Sequence, residues 1–136
     1  MKFKEDIVES RFPLMHEQAQ KLAVEMDNWI KHKFGLELTL TATVSTKAED
    51  MELSRVSDTH RTGRAFDVRT RDLPENVIAE LCAHFRKKYA NIAALSGGQK
   101  NLIVYRPHGT GPHLHVQLNR NFSKGDINVE ESIKKD

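Results

Sequence analysis

Two short motifs in this chain carry the residue types that bind divalent metal ions. They are SDTHRTGRAFDV at residues 57–68 and GPHLHVQ at residues 111–117. Together they offer two imidazoles and one carboxylate to a single divalent ion, with a third imidazole beside them. Three protein ligands and an open position are typical of catalytic zinc, whereas structural zinc sites are closed by four ligands. The candidate donors are His60, Asp67, His113 and His115.

The single cysteine narrows the kind of metal site. One thiol, Cys82, excludes an intramolecular disulfide and the multi-cysteine zinc sites of fingers and ribbons. Zinc prefers neutral imidazole and carboxylate oxygen where thiolates are absent. A site of two histidines and one aspartate therefore favours one zinc ion and leaves a neighbouring metal such as manganese open.

Three other histidines are predicted not to be ligands. His16, His32 and His84 lie in predicted helices and have no partner at ligand spacing. A lone His-x-His is also a weak signal, because two histidines on one strand face can simply be exposed. A histidine and an aspartate around a glycine turn, joined by a distant Gly-Pro-His-x-His strand, form a more specific signal.

Hydrophobic patterning predicts the elements that position these residues. A helical period predicts a helix at residues 14–34, and a second helix is predicted to begin after Asp72 as its N-cap. Residues 46–58 are predicted to be polar and irregular. Alternation of apolar and polar residues predicts strands at 37–45, 65–68, 102–105 and 113–118. The order of these elements predicts an α+β domain, a small antiparallel sheet with helices packed on it.

The period of two along a strand sorts the candidate donors by face. Asp67 is predicted to point away from its apolar neighbours, and His113 and His115 share one face of their strand. His60 is placed on the loop before Asp67. A site spread over sheet strands holds an open coordination position in a fixed place.

Length and composition predict a single domain with few classes of partner. A chain of 136 residues predicts one domain over 1–136, with its core at about 14–118 and a flexible, charged tail at 119–136. A net charge of +2 with no long basic run predicts no nucleic-acid partner, and no stretch has the length of a membrane span. Charges among the first six residues argue against a secretory signal, so we expect the protein to be cytoplasmic as synthesised. We also expect it to be a monomer.

The first motif resembles that of the Hedgehog/DD-peptidase superfamily, which includes D-alanyl-D-alanine carboxypeptidases and phage L-alanyl-D-glutamate endopeptidases. The superfamily pattern is Ser-x-His-x-x-Gly-x-Ala-x-Asp, and its serine lies one residue further upstream here. The positions that match at the same spacing are His60, Gly63, Ala65 and Asp67. The resemblance covers residues 38–118 and implies the superfamily fold, with His60, Asp67 and His115 as zinc ligands.

The second motif also looks like that of lysostaphin-type endopeptidases, which often carry Gly-Pro-His-Leu-His. That resemblance implies His113 as a catalytic residue beside the metal and His115 as the ligand. Lysostaphin-type proteins space their first histidine and aspartate more closely than His60 and Asp67, and they have a glycine-rich all-β setting. The mixed order of helices and strands therefore favours the resemblance to DD-peptidases over the resemblance to lysostaphin-type endopeptidases.

The chain departs from the DD-peptidase pattern at the general base. Many relatives place a glutamate three residues before the last ligand, where this chain has Pro112. No acid occurs from residue 100 to 117. His113 is therefore the first candidate for the base, and Asp58 is the second.

A second departure concerns substrate binding. Relatives often carry an arginine shortly after the first strand that binds a substrate carboxylate, and this chain has none there. Lys47 or Arg55 would have to substitute for it. His108 lies on the loop before the second motif and is a further candidate for substrate contact.

The resemblance implies a zinc-dependent peptidase that hydrolyses peptide bonds in peptidoglycan stem peptides. A small domain of this kind fits a phage endolysin that a phage lysis system releases to the cell wall, or a virion-associated phage enzyme. A bacterial cytoplasmic peptidase is a further alternative. The alternative is a non-catalytic zinc-binding module of the same fold that acts as a binding protein, as Hedgehog signalling domains do. The missing glutamate is the feature that favours this alternative.

Overall fold

A five-stranded sheet carries both motifs at its centre. The computed structural model describes residues 1–107 and 111–129. Within them the sheet strands are β1 (Lys2–Phe3), β2 (Thr39–Ala42), β3 (Ala65–Arg69), β6 (Ile103–Arg106) and β7 (His113–Gln117). Their spatial order is β1-β2-β3-β7-β6. A separate small hairpin consists of β4 (Leu95–Ser96) and β5 (Gln99–Lys100).

Four α-helices complete the described part of this small α+β domain. They are α1 (Asp6–Arg11), α2 (Glu17–Phe34), α3 (Lys47–Glu52) and α4 (Glu75–Lys88). Short 3₁₀ helices cover Phe12–Leu14, Ala90–Ile92 and Arg120–Phe122. No helix in the described ranges is long and apolar enough to cross a membrane.

The hydrophobic core lies on one face of the sheet. Phe66 and Val68 of β3 are fully buried there, while Asp67 between them points to the other face. The long helices α2 and α4 contribute the apolar side chains that cover this core face, including Leu22, Met26, Ile30, Leu81 and Phe85. The opposite face of the central strands is thereby left to the polar residues of the two motifs.

The expected antiparallel sheet is wrong in one respect, because the sheet is mixed. The edge strand β1 pairs in parallel with β2, Lys2 opposite Thr39, while the other neighbouring strands are antiparallel. A strand of two residues is too short for alternation to reveal it. The α+β class itself is confirmed.

Helix α3 lies in the segment that we expected to be irregular. Its N-terminus is a capping box: Glu49 N–H donates to Thr46 Oγ1 at 3.1 Å, and Thr46 N–H donates to Glu49 Oε1 at 2.8 Å. Threonine followed three residues later by glutamate is the sequence signature of this motif. The local hydrogen bonds therefore decide the structure where hydrophobic periodicity is absent.

Two helix starts differ from the predicted ones. Helix α2 begins at Glu17 rather than at residue 14, because His16 caps it by accepting from Gln18 N–H at 2.9 Å through Nδ1. Helix α4 has Pro74 as its N-cap rather than Asp72. Leu73 precedes a proline, which disfavours helical backbone at that position, so the helix starts only after Pro74.

Residues 119–129 of the predicted tail are in contact with the rest of the domain, and residues 130–136 lie outside the described part of the chain. Lys124 N–H donates to Thr62 O at 2.9 Å, and Ile127 N–H donates to Arg61 O at 3.1 Å. Val129 is buried in the core cluster. Backbone hydrogen bonds thus fasten this polar segment to the loop that carries His60.

Replacing Gly63 with alanine is expected to destabilise the fold more than the same change at Gly35. Both glycines have positive φ, 75° and 67°, and left-handed backbone costs alanine about 1–2 kcal/mol. A Cβ at Gly63 would also lie 2.7 Å from Ile127 Cδ1 and 3.4 Å from His16 N, whereas nothing lies within 4 Å at Gly35. Because the close contact is with the end of the Ile127 side chain, which can move, it adds about 1 kcal/mol, the low end of the cost of overpacking. Urea unfolding of both variants measures the difference, and equal losses would contradict close packing at Gly63.

Candidate metal centre

Two of the candidate ligands lie opposite each other on neighbouring strands. Asp67 of β3 pairs with His115 of β7 in the antiparallel register. Side chains of directly paired residues share one face of the sheet, with Cβ atoms about 4.5–5.5 Å apart. The backbone pairing alone therefore brings this imidazole and this carboxylate within contact, although 48 residues separate them in the chain.

The third candidate, His60, comes from the tight loop before β3. Gly63 N–H donates to His60 O at 3.1 Å, and Arg64 N–H donates to Thr59 O at 3.0 Å. The buried Arg64 guanidinium donates to Leu118 O and to Asp58 Oδ1, each at 2.7 Å. This arginine ties the loop to the end of β7 and holds the His60 side chain, which is buried, against the sheet.

The donor atoms of the three residues converge on one carboxylate oxygen. His60 Nε2 lies 3.2 Å from Asp67 Oδ1, and His115 Nδ1 lies 2.9 Å from the same oxygen. One ligand atom from each residue lies within 4.8 Å of the other two, which is close enough for all three to hold one metal ion. The structure thus brings together His60, Asp67 and His115 as the sequence predicts.

In each histidine, one ring nitrogen faces Asp67 and the other faces away from it. The hydrogen-bond partner of the nitrogen that faces away determines which of the two nitrogens carries the proton. His60 Nδ1 lies 2.7 Å from Thr43 O, and a carbonyl only accepts, so Nδ1 carries the proton. Gln117 Nε2 donates to Asn101 O at 3.1 Å, which turns Gln117 Oε1 toward His115 Nε2 at 3.1 Å. That nitrogen is therefore the donor on His115, and its hydrogen points away from Asp67.

Two imidazole lone pairs and a carboxylate therefore face one another when both rings are neutral. Such a group of acceptors is repulsive unless a cation, either a proton or a metal ion, lies between them. Burial by itself would raise the pKa of Asp67, but the positive charge and the hydrogen bonds that the His60 and His115 rings supply when they are protonated hold that pKa far below its usual range. Burial lowers the pKa of His115, which favours the neutral ring that binds metals. The residues fit a divalent cation.

His113 lies beside this group on the same face of β7. Its Nδ1 donates to Gly111 O at 2.9 Å, and its Nε2 lies 3.9 Å from Asp67 Oδ2. The side chain is half-buried, so Nε2 is accessible from the space in front of the ligands. The position is compatible with the predicted catalytic role, which stays a prediction.

The second candidate base, Asp58, is occupied elsewhere. Burial raises the pKa of its carboxyl, but the hydrogen bond and charge of Arg64 outweigh this and lower that pKa. Asp58 is absent from the described residues that line the cleft in front of the ligands. A carboxylate held in an ion pair is a weak base, so the structure argues against Asp58 in that role.

The three ligands open into a cleft of about 800 Å³. Of the predicted substrate-binding residues, Arg55 lines this cleft, whereas Lys47 lies exposed at the start of α3 and does not. His108 lies outside the described residues. Arg55 Nη1 is also 3.3 Å from Asp50 Oδ1, so part of its charge is already paired.

The sequence interpretation missed several polar residues of this site. Gln117 and Thr43 orient the two imidazoles, and the basic residues Arg69 and Arg106 line the cleft. Gln117 and Arg69 lie two residues from His115 and Asp67, so strand periodicity already places them on the ligand face. Thr43 acts through its backbone carbonyl, for which no side-chain signal exists.

Comparison with known proteins gives no family for this chain. No protein-family model, no curated protein and no solved structure matches it. The chemistry of the site is therefore inferred from its own donors and their geometry.

Replacing Gln117 with leucine is expected to weaken zinc binding about 10- to 100-fold, because outer residues that orient a ligating histidine contribute that much to metal affinity. Leucine removes the nearer acceptor of His115 Nε2 and leaves only Thr59 Oγ1 at 3.4 Å, whereas glutamate in the same place still offers an oxygen. Competition against a chromophoric chelator measures the affinity of each variant. Equal affinities for Gln117→Leu, Gln117→Glu and the unsubstituted chain would show that Gln117 does not orient the ligand.

Proposed function

We propose that this protein is a zinc-dependent peptidase that hydrolyses amide bonds in the stem peptides of bacterial peptidoglycan. The observation that carries the proposal is the convergence of His60, Asp67 and His115 at the floor of an open cleft, with His113 at their side. Three protein donors leave a coordination position for water or substrate, as catalytic zinc sites require.

The chain's own residues would hold the metal through His60 Nε2, Asp67 Oδ1 and His115 Nδ1. A bound zinc ion would polarise an amide carbonyl and lower the pKa of a water molecule toward neutrality. The Nδ1–H group of His60 donates a hydrogen bond to Thr43 O, which keeps the tautomer of this ring fixed. The buried Asp67 supplies the negative charge that favours a cation at this point.

His113 would move the proton during hydrolysis. Its Nδ1 hydrogen is held by Gly111 O, so its Nε2 lone pair is the one available to the cleft. At neutral pH an imidazole can take a proton from an attacking water and deliver it to the departing amine. Because the ring is half-buried, it can also exchange that proton with solvent.

The substrate class is supported by the resemblance of both motifs to peptidoglycan peptidases. The cleft is also rich in basic side chains, which suits an anionic wall polymer. A phage endolysin, made in the cytoplasm and released to the wall by a lysis system, is the setting that we propose.

A non-catalytic zinc module is the second candidate, and one observation favours it. Among the described residues that line the cleft, Asp67 is the only one with a carboxylate, and in this proposal that carboxylate binds the metal. The position at which many DD-peptidases, which the first motif resembles, carry a glutamate base is occupied by Pro112. A protein that keeps the metal and the cleft but lacks a base would bind stem peptides without cutting them.

Lysis of permeabilised Gram-negative cells tests the peptidase proposal. Purified protein is expected to reduce the turbidity of the suspension, to lose this effect with a chelator and to regain it with added zinc, because removing the metal removes the electrophile. Metal analysis of the isolated protein and mass spectrometry of released fragments accompany the assay. Zinc at one ion per chain with peptide binding but no lysis would favour the binding module, and a chain without metal affinity would overturn both.

Replacing His113 with alanine is expected to lower hydrolysis at least about 100-fold, the usual contribution of a general acid–base residue. Zinc content should not change, because His113 is not one of the three ligands. His32→Ala is the matched control, since His32 is exposed on α2 far from the cleft residues. Hydrolysis by His113→Ala at the rate of the control would exclude the proposed proton transfer.

A further inference from the structure

A row of three basic side chains crosses the sheet beside the metal ligands. In the register of the central strands, His113 of β7 lies opposite Arg69 of β3 on one side and Arg106 of β6 on the other. Directly paired residues project to the same face of a sheet. Arg69, His113 and Arg106 therefore share the face that carries Asp67 and His115.

The row lies at a defined distance from the metal ligands. Asp67 and His115 form the next row on the same face, two residues along each strand. Two residues of extended strand span about 7 Å. An extended peptide bound across the cleft covers this distance with about two residues, so a group held by the arginines would lie within about two residues of the bond at the metal.

Few carboxylates of the protein lie close to the guanidinium groups of Arg69 and Arg106. Arg69 Nη1 reaches Asp72 Oδ2 only at 4.0 Å, and its side chain is 20% exposed. Arg106 makes no ion pair within residues 1–107 and 111–129. The cleft is lined by five basic side chains: Lys4, Arg55, Arg69, Arg71 and Arg106. The only carboxylate of the described lining is Asp67, so the cleft is far more positive than the net charge of +2 for the whole chain implies.

We propose that Arg69 and Arg106 form a subsite for a carboxylate of the substrate peptide, within about two residues of the bond that is cut. The inference rests on the proposed peptidase function and adds the group that selects the substrate. A guanidinium pairs with a carboxylate through two parallel hydrogen bonds, and two guanidiniums on the strands at either side of β7 can bind the two oxygens from opposite sides. The subsite lies on β3 and β6, whereas the sequence interpretation placed substrate binding at Lys47 and Arg55.

Two kinds of carboxylate in a stem peptide could occupy this subsite. One is the carboxylate at the end of the chain, and the other is the branch carboxylate of its glutamate residue. Both offer the same planar pair of oxygens, so the arginine row recognises their shared chemistry. Synthetic peptides that lack one or the other distinguish the two sources.

The test uses the zinc-loaded full chain and three synthetic stem pentapeptides. One peptide carries both carboxylates, one has a C-terminal carboxamide, and one has the glutamate branch carboxylate amidated. The readout is kcat/KM from fragment release, or the calorimetric Kd where a peptide is bound without being cut. The variants are Arg69→Gln, Arg106→Gln and their combination, and Arg120→Gln is the control because it removes the same charge from an exposed position outside the cleft.

One of the two amidations is expected to lower kcat/KM or raise Kd about tenfold or more in the unsubstituted chain, as the loss of charge-assisted hydrogen bonds does. The difference in kcat/KM or Kd between the peptide with the free carboxylate and its amide should persist in Arg120→Gln. It should fall to about threefold or less in the double variant Arg69→Gln/Arg106→Gln. Unchanged zinc content and unfolding midpoint show that the variants are folded.

Failure of the subsite and failure of the peptidase function have different signatures. Equal use of all three peptides, or a preference that survives in the double variant, would overturn the subsite while hydrolysis stands. If the peptide with the free carboxylate binds with a lower Kd than its amide but no peptide is hydrolysed, the subsite is retained and the peptidase function is overturned. Absence of both binding and hydrolysis overturns both.

Discussion

The carboxylate of Asp67 between two imidazoles is the interaction on which the site depends. Each ring turns a lone pair toward this carboxylate because its other nitrogen donates outward, His60 to Thr43 O and His115 to Gln117 Oε1. These outward bonds reach the residue that follows β2 and, through Gln117, the residue Asn101 before β6. The polarity of the centre is therefore imposed by backbone carbonyls that belong to the sheet and its connections. Such a centre attracts a cation even without a substrate.

The register of the three central strands is the second constraint. It places Asp67 opposite His115 and, two residues on, Arg69 and Arg106 opposite His113 from its two sides. A slip of one residue would turn the ligands into the apolar core and the core residues into the cleft. Because Phe66 and Val68 are buried on the core face, such a slip would also expose two large apolar side chains. The packing of the core thus protects the geometry of the site.

The loop that carries His60 is held by polar contacts. Arg64 joins it to Asp58 and to Leu118 O, and the segment at 124–127 donates backbone hydrogen bonds to Thr62 and Arg61. Gly63 permits this close approach, since a side chain there would meet Ile127. A buried arginine with its hydrogen bonds satisfied can fix a loop as firmly as an apolar anchor. The C-terminal part of the described chain therefore belongs to the structure that supports the site.

The local pattern of the sequence is sufficient to predict the features that depend only on residues close together in the chain. The period of two at residues 113–117 and around Asp67 places the candidate donors of both strands on the face that the structure shows, and the resemblance of the two motifs to known zinc peptidases implies which three of the candidates bind the metal. Tertiary structure decides what depends on residues distant in sequence. Arg69 and Arg106 lie in one row only because β7 pairs between their strands, and Lys124 and Ile127 donate backbone hydrogen bonds to a loop more than 50 residues earlier. Strand pairing and backbone hydrogen bonds between distant segments leave no periodic trace in the residues that make them, so only the folded chain could reveal them.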